Sequence, residues 1–332
     1  MKKTNFAPQF NYISSFRMIS RRLLRVKILQ VLYANHNKEG QTISQAEKEL
    51  FFSINKSYDL FHLFLLLPIE LSKIDEQRID IVKQRHIQTT DELEICTHFS
   101  ENKVVAQLKS NWQFSRYVSD NKINWNQCPE IIKGIYQQIK EKDYFKLYLS
   151  KESSTYEDDK AIILKILEEE VPSYEALENT LEDLSIFWND DMDFVLNMVI
   201  KTIKGLKEQD NPQKPLMSLY KNEEDQEFVK NLFRKVSVNR VDYSSLIKKH
   251  SQNWEYERIA LMDILIMQMA IAEIVEFSSI PIKVSLNEYI DIAKDYSTPN
   301  SNTFINGILD NIVKEFKAEN KIFKTGRGLM DK

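Results

Sequence analysis

Apolar residues recur three and four positions apart along most of this chain, the spacing of one helix face. The first such run is "SRRLLRVKILQVLYANH", Ser20 to His36, with Leu24, Ile28, Val31 and Leu32 as its stripe and Ser20 as the expected N-cap. Helix is predicted again from Gln41 to about Gln88. A further helix is expected in "WNDDMDFVLNMVIKTIKGL", capped by Asn189 or Asp190, with acids in the first turn where the helix dipole favours them. One amphipathic helix is expected from about Glu224 to His250, and one that is apolar nearly all round from Trp254 to Phe277, as befits the centre of a bundle. After Pro281, Ser285 and Glu288 have capping-box spacing, and past Thr298-Pro299 a last helix carries Phe304, Ile305, Ile308, Leu309, Ile312 and Phe316. The two prolines of "KEQDNPQKPLMS", residues 207–218, mark a linker.

Composition agrees with an all-α reading. Six glycines occur in 332 residues, where average usage of ~7% gives roughly 23. Neither GxGxxG nor GxxxxGK[ST] is present, so no loop is built to cradle a nucleotide phosphate. Cys96 and Cys128 are expected to be buried and reduced, and no secretory signal is read in the first 17 residues, so a cytoplasmic location is expected. The segment Arg258–Phe277 carries Arg258, Asp263, Gln268, Glu273 and Glu276, so it is read as a buried core helix and not a membrane span. The five histidines show no metal-ligand spacing, and Asp190, Asp191 and Asp193 are explained by a helix first turn. No catalytic, metal or cofactor site is expected.

Charge is uneven. The chain has a net charge of −4, yet its first 38 residues hold eight Lys or Arg and no acid, while residues 141–194 hold 16 acids against five lysines. At 100° per residue Arg21 and Arg25 share a face, with Arg22 beside Arg25, and they are expected to project from one edge of the first helix. That edge is either an ordinary solvated face or a docking surface for phosphate, which arginine contacts well. Tyr33 offers an aromatic surface of the kind that single-stranded RNA uses.

"RRLLRVKILQVLY" resembles the first helix of NusB-type transcription antitermination factors. "WEYERIALMDILIMQMAIAEIVEFSSIPIKVSLNEYIDIAKDYSTPNSNTFINGILDNI" is similar to that family's hallmark. It has a Glu-Arg opening, a buried helix ending in Ala-x-x-Glu, then P-x-K-V-x-x-N-E, A-K and F-[VI]-N-G-[VI]-L-D. The likeness covers roughly residues 19–36 and 223–316. It implies an all-α protein of two NusB-like helical subdomains with an extra helical insertion and no enzymatic activity. The segments expected are a flexible extension (1–18), an N-terminal subdomain (19–250, insertion at about 37–222), a C-terminal subdomain (251–318) and a basic flexible tail (319–332). The partners it implies are single-stranded boxA-type RNA of ribosomal RNA transcripts, a small-subunit ribosomal protein in its NusE role, and the RNA polymerase antitermination complex, with no membrane.

Carried over by the resemblance, Arg21, Arg22 and Arg25 are assigned to RNA phosphates. Tyr33 and Phe304 are assigned to the RNA surface. Asn300 stands where the family often has an acid. Glu257 and Asp263 are assigned to the partner protein, and Gln268 stands where arginine is common. Phe304 is equally well a core aromatic at the head of its stripe, and Gly307 is read as allowing close helix packing. Two alternatives stand beside this reading. One is an interaction module defined by the acidic insertion. The other is a relative of RNA cytosine methyltransferase N-terminal domains, for which a Gly-rich cofactor domain is expected to follow the fold.

Overall fold

The computed structural model describes residues 18–36, 38, 40–84, 95–251 and 256–330. The fold is all-α: among the described residues no strand element forms. Two compact units divide the chain, one of residues 1–18 and 55–219 (unit 1), the other of 19–54 and 220–332 (unit 2). Apart from Met18, the expected N-terminal extension lies outside the described residues.

Helix α1 is Arg21–Asn35, and Ser20 is its N-cap as expected, its side chain accepting from the Leu23 N–H. Helix α2, Ile43–Gln84, continues through Pro68 and contributes its first residues to unit 2 and the rest to unit 1. Unit 1 adds α3 (Lys103–Ser110), α4 (Trp112–Asp120), α5 (Pro129–Lys140), α6 (Asp143–Leu149) and α7 (Tyr156–Lys165). A π segment, Ile166–Glu170, leads into α8 (Val171–Ser173), followed by α9 (Glu175–Leu184) and α10 (Met192–Lys204). The cap of α10 is Asp191, not Asn189 or Asp190. Its carboxylate is buried and accepts from Ser57 Oγ at 2.5 Å instead of capping the helix. The stretch 207–218 is more than a linker: Asn111 Nδ2 donates to the Lys214 carbonyl and the Leu216 N–H to Gln113.

Two aromatic and polar clusters stiffen unit 1. His62 is fully buried, stacks on Tyr117 at 3.8 Å, and turns Nδ1 to the Tyr58 carbonyl. Trp125 donates to the neighbouring Leu63 carbonyl. Asp75 accepts from Tyr136 and Arg78. Burial, and then Asp75, push the Tyr136 phenol upward.

In unit 2 the remaining helices are α11 (Glu223–Val238), α12 (Arg240–His250), α13 (Leu261–Glu276), α14 (Ile282–Tyr296) and α15 (Ser301–Ala318). The single amphipathic helix expected over 224–250 is two helices. It breaks at Asn239, whose backbone leaves helical values and whose amide donates to the Lys235 carbonyl. Helix α13 is the centre, as its apolar circumference predicts: α1, α11, α12, α14 and α15 all pack on it, and every residue from Leu265 to Ile274 is buried. The expected boundary at 250/251 therefore falls inside unit 2, because α11 and α12 share α13 with the later helices. The capping box at Ser285 is not formed. Pro281 is the N-cap of α14, and Ser285 instead donates to Glu273.

Residues 319–330 are not a free tail. The Thr325 N–H donates to the Ser278 carbonyl, Lys324 to the Phe277 carbonyl, and Gly328 is buried with a Cβ position 2.0 Å from Ser278 O. No Cβ tolerates that approach to backbone, so Gly328→Ala is expected to undock the tail. Hydrogen exchange at the Thr325 amide reads the result, and unaltered protection in the variant contradicts it.

Candidate nucleic-acid interface

Three arginines that look alike in sequence meet different surroundings. Arg25 is 3% exposed and sends Nε and Nη2 to the two oxygens of Glu273, both at 2.7 Å. Ser285 Oγ (2.8 Å) and Tyr289 Oη (2.9 Å) donate to the same carboxylate, itself fully buried. Burial pulls the Arg25 pKa down, but Glu273 outweighs it and the net direction is up; burial and then Glu273 raise Tyr289 well above an ordinary phenol. Arg25 is thus corrected from a projecting phosphate ligand to a core ion pair. Lys27 is buried as well.

Arg21 and Arg22 keep access to solvent. Arg21 donates to Asp225 at 3.0 Å and lies over the Phe228 ring, with its side chain 32% exposed. Arg22, 47% exposed, forks onto Glu288 and reaches Asp291 at 2.9 Å. Hydrogen bonding to Glu288 raises its pKa. Much of the basic edge is therefore neutralised by carboxylates of α11 and α14.

The remaining residues lie elsewhere. Arg25 pairs with Glu273, while Leu32 and Leu265 line one pocket, so α1 runs antiparallel to α13. Tyr33, half exposed, therefore lies toward the start of α13, about 17 Å along the helix from Arg21 and Arg22. At that end Asp263 is buried and accepts from Ser301 Oγ at 2.9 Å and from Ser297, pinning the start of α15. It too is corrected, from a partner contact to an internal clamp. Glu257 is exposed and sits 3.6 Å from Lys248.

Beside this clamp is an open groove of about 890 Å³ lined by His250, Arg258, Asn300, Phe304, Gly307 and Asn311 among others. Phe304 is half-buried, Asn300 is exposed without a capping bond, and His250 is held by Glu315 at 3.0 Å. Gly307 corrects another expectation. It is exposed, and a Cβ there meets nothing within 4 Å, so it leaves the groove open and serves no helix contact. Sequence reasoning brought together Asn300 and Phe304 but missed His250, Arg258 and Asn311. The i, i+3, i+7 spacing of Phe304, Gly307 and Asn311 on α15 was the available signal. Among the described residues no group of His, Cys, Asp and Glu is placed to hold a metal ion, and no helix is long and apolar enough to cross a membrane.

A sequence model described as the NusB family matches residues 195–314. The transcription antitermination protein NusB of Salinibacter ruber is 42% identical over 104 residues, 31% of this chain and 65% of that protein. The protein of that name from Chloroherpeton thalassium is 44% identical over 105 residues, 32% of this chain and 50% of that protein. The one from Koribacter versatilis is 34% identical over 131 residues, 39% of this chain and 90% of that protein. The chain belongs to the NusB family. It spans 65% and 50% of the lengths of the first two relatives. No solved structure matches it. The NusB-family match begins within α10, so most of unit 1, and α1 with its arginines, lie outside it. The groove of Asn300, Phe304 and Gly307 lies inside it.

Proposed function

We propose that this chain is a non-catalytic scaffold of transcription antitermination that holds single-stranded boxA-like RNA of ribosomal transcripts together with the small-subunit ribosomal protein that acts as NusE. The observation that carries the reading is the groove within the family match, which sets a half-buried aromatic, Phe304, beside exposed Arg258 and Asn300. Such a surface stacks an unpaired base and meets its phosphate, the two things that single-stranded RNA offers. Arg21 and Arg22 add phosphate contacts, for which RNA competes with Asp225, Glu288 and Asp291. Tyr33 and Glu257 belong to the rim that meets the ribosomal protein and RNA. The scaffold acts in the cytoplasm, within the RNA polymerase antitermination complex.

Anisotropy of a labelled leader RNA tests this. Affinity is expected to fall steeply with salt, and Phe304→Ala is expected to weaken binding by about 5–150-fold, the worth of one stacked base. Arg22→Gln is expected to reduce the salt slope by about 0.7. Equal affinity of the folded Phe304→Ala variant and the parent chain rejects the groove as the RNA surface. Co-purification of the ribosomal protein with the full chain tests the second half of the reading.

A further inference from the structure

Residues 319–330 are held against unit 2, and the NusB-family match ends before them, at residue 314. Ile322 packs on the cluster of Ile274, Ile282 and Val313, which joins α13, α14 and α15. The Lys321 N–H donates to the Phe316 carbonyl, Lys324 Nζ to the Phe277 carbonyl at 2.9 Å, and the Thr325 N–H to the Ser278 carbonyl at 3.0 Å. The backbone is thus pinned, yet the largest side chains of the segment stay in solvent. Phe323 is 74% exposed, more than any other aromatic among the described residues, and Leu329 and Met330 are exposed as well. Nothing in the fold requires a ring to stand there.

Charge says what such a surface meets. From Lys317 to Met330 there are four cations and one acid, Glu319. Lys321 holds that acid at 2.6 Å, and Lys324 is spent on the Phe277 carbonyl. Among the described residues the side chains of Lys317 and Arg327 have no partner. Lys317 lies one turn past Val313, on the side of α15 that Ile322 covers. An apolar protein partner buries Phe323 only by taking these cations out of water without a counter-charge, which is costly. A strand that alternates flat bases with phosphates matches both the ring and the cations. The position fits a longer strand too. Phe277 follows the end of α13, and Asp263, beside the Phe304 groove, is in its first turn, so the tail and the groove are about 21 Å apart along that helix. The Phe277 ring meets Phe228 at 5.1 Å, and Arg21 lies over Phe228, so the tail stands at the end of unit 2 that carries Arg21.

We propose that the docked tail is a second platform for single-stranded RNA, on which Phe323 stacks an unpaired base while Lys317 and Arg327 meet its phosphates. The proposal rests on the RNA-binding reading and extends it beyond the residues that the family match covers. A strand held in the Phe304 groove then continues past the end of α13 onto the tail.

Anisotropy titrations of the full chain with labelled leader RNA and with an oligouridylate test it. Phe323→Ala and Phe323→Leu are each expected to weaken leader RNA binding by about 5–150-fold, whereas Phe323→Trp, which keeps a stacking face, retains affinity. Both side chains at this exposed position leave the core untouched, so folding is not at risk. Arg327→Gln is expected to reduce the salt slope by about 0.7. Full affinity in Phe323→Ala overturns the proposal, and a Phe304→Ala loss measured beside it leaves the groove standing. Full affinity in Phe323→Leu overturns it as well, because apolar packing and not stacking then makes the contact. A loss in Phe323→Ala with none in Phe304→Ala keeps the tail and rejects the groove. If the parent chain binds oligouridylate but not leader RNA, and Phe323→Ala weakens that binding, the tail stands and the boxA reading fails.

Discussion

Replacing Arg25 by alanine is expected to destabilise unit 2 by about 3–5 kcal/mol. Both oxygens of Glu273 bond the guanidinium, and neither residue has appreciable contact with water. Truncation leaves a buried carboxylate with only Ser285 and Tyr289 as donors, which do not neutralise it. Arg25→Lys is not a rescue, since an ammonium does not reproduce the two-pronged contact. A second replacement, Glu273→Gln in the Arg25→Ala background, is expected to recover much of the loss, because a neutral amide carries a smaller desolvation penalty. Urea unfolding followed by hydrogen exchange at α13 amides measures both variants. A loss below about 1 kcal/mol for Arg25→Ala contradicts the buried-pair assignment.

The second large effect is acid lability of unit 1. Burial lowers the pKa of His62 from 6.5 to about 4, with the Tyr58 carbonyl and Asp59 opposing. Nδ1 serves the Tyr58 carbonyl and Nε2 has no partner, so a second proton brings an N–H with nothing to accept it. The unfolded chain takes up this proton near the ordinary imidazole pKa, while the folded chain takes it up only near pH 4. Between those values the unfolded state binds more protons, so stability falls as pH falls. The depression corresponds to a loss of about 2 kcal/mol by pH 5 relative to pH 7.5, approaching roughly 3 kcal/mol below pH 4. Trp125, buried and bonded to the Leu63 carbonyl, is the reporter in urea titrations at the two pH values. His62→Phe is expected to remove most of the difference between pH 7.5 and pH 5. A variant that keeps the full pH dependence contradicts the assignment.

Helices with strong periodicity were legible in the sequence. Helix α13 was evident as the bundle centre because no side of it is polar enough to face water. The break at Asn239 was not, since no proline or glycine marks it and both flanking segments keep helical spacing. The capping box at Ser285 misled because Pro281 starts the helix one turn earlier and frees Ser285 for Glu273. The arginines carried the instructive error. Periodicity placed Arg21 and Arg25 on one face but did not say which neighbours that face meets. The missing clue was Glu273 in the middle of the apolar run Met269–Ile274: a carboxylate in that position needs a buried cation, and Arg25 supplies it. Of the groove, Phe304 and Asn300 were legible through the family motif, whereas His250 and Arg258 arrive from other elements, which only the fold reveals.

The placement of unit 1 between the two segments of unit 2 sets a schedule for biosynthesis. Residues 55–219 form a continuous stretch that is complete while the ribosome still holds most of unit 2. Arg25 lies 248 residues before its partner Glu273. At a synthesis rate of roughly 5–20 residues per second, α1 waits about 12–50 s for the carboxylate that neutralises it. For that interval Arg25 has no Glu273 to neutralise it, and its burial has to wait until α13 has been made.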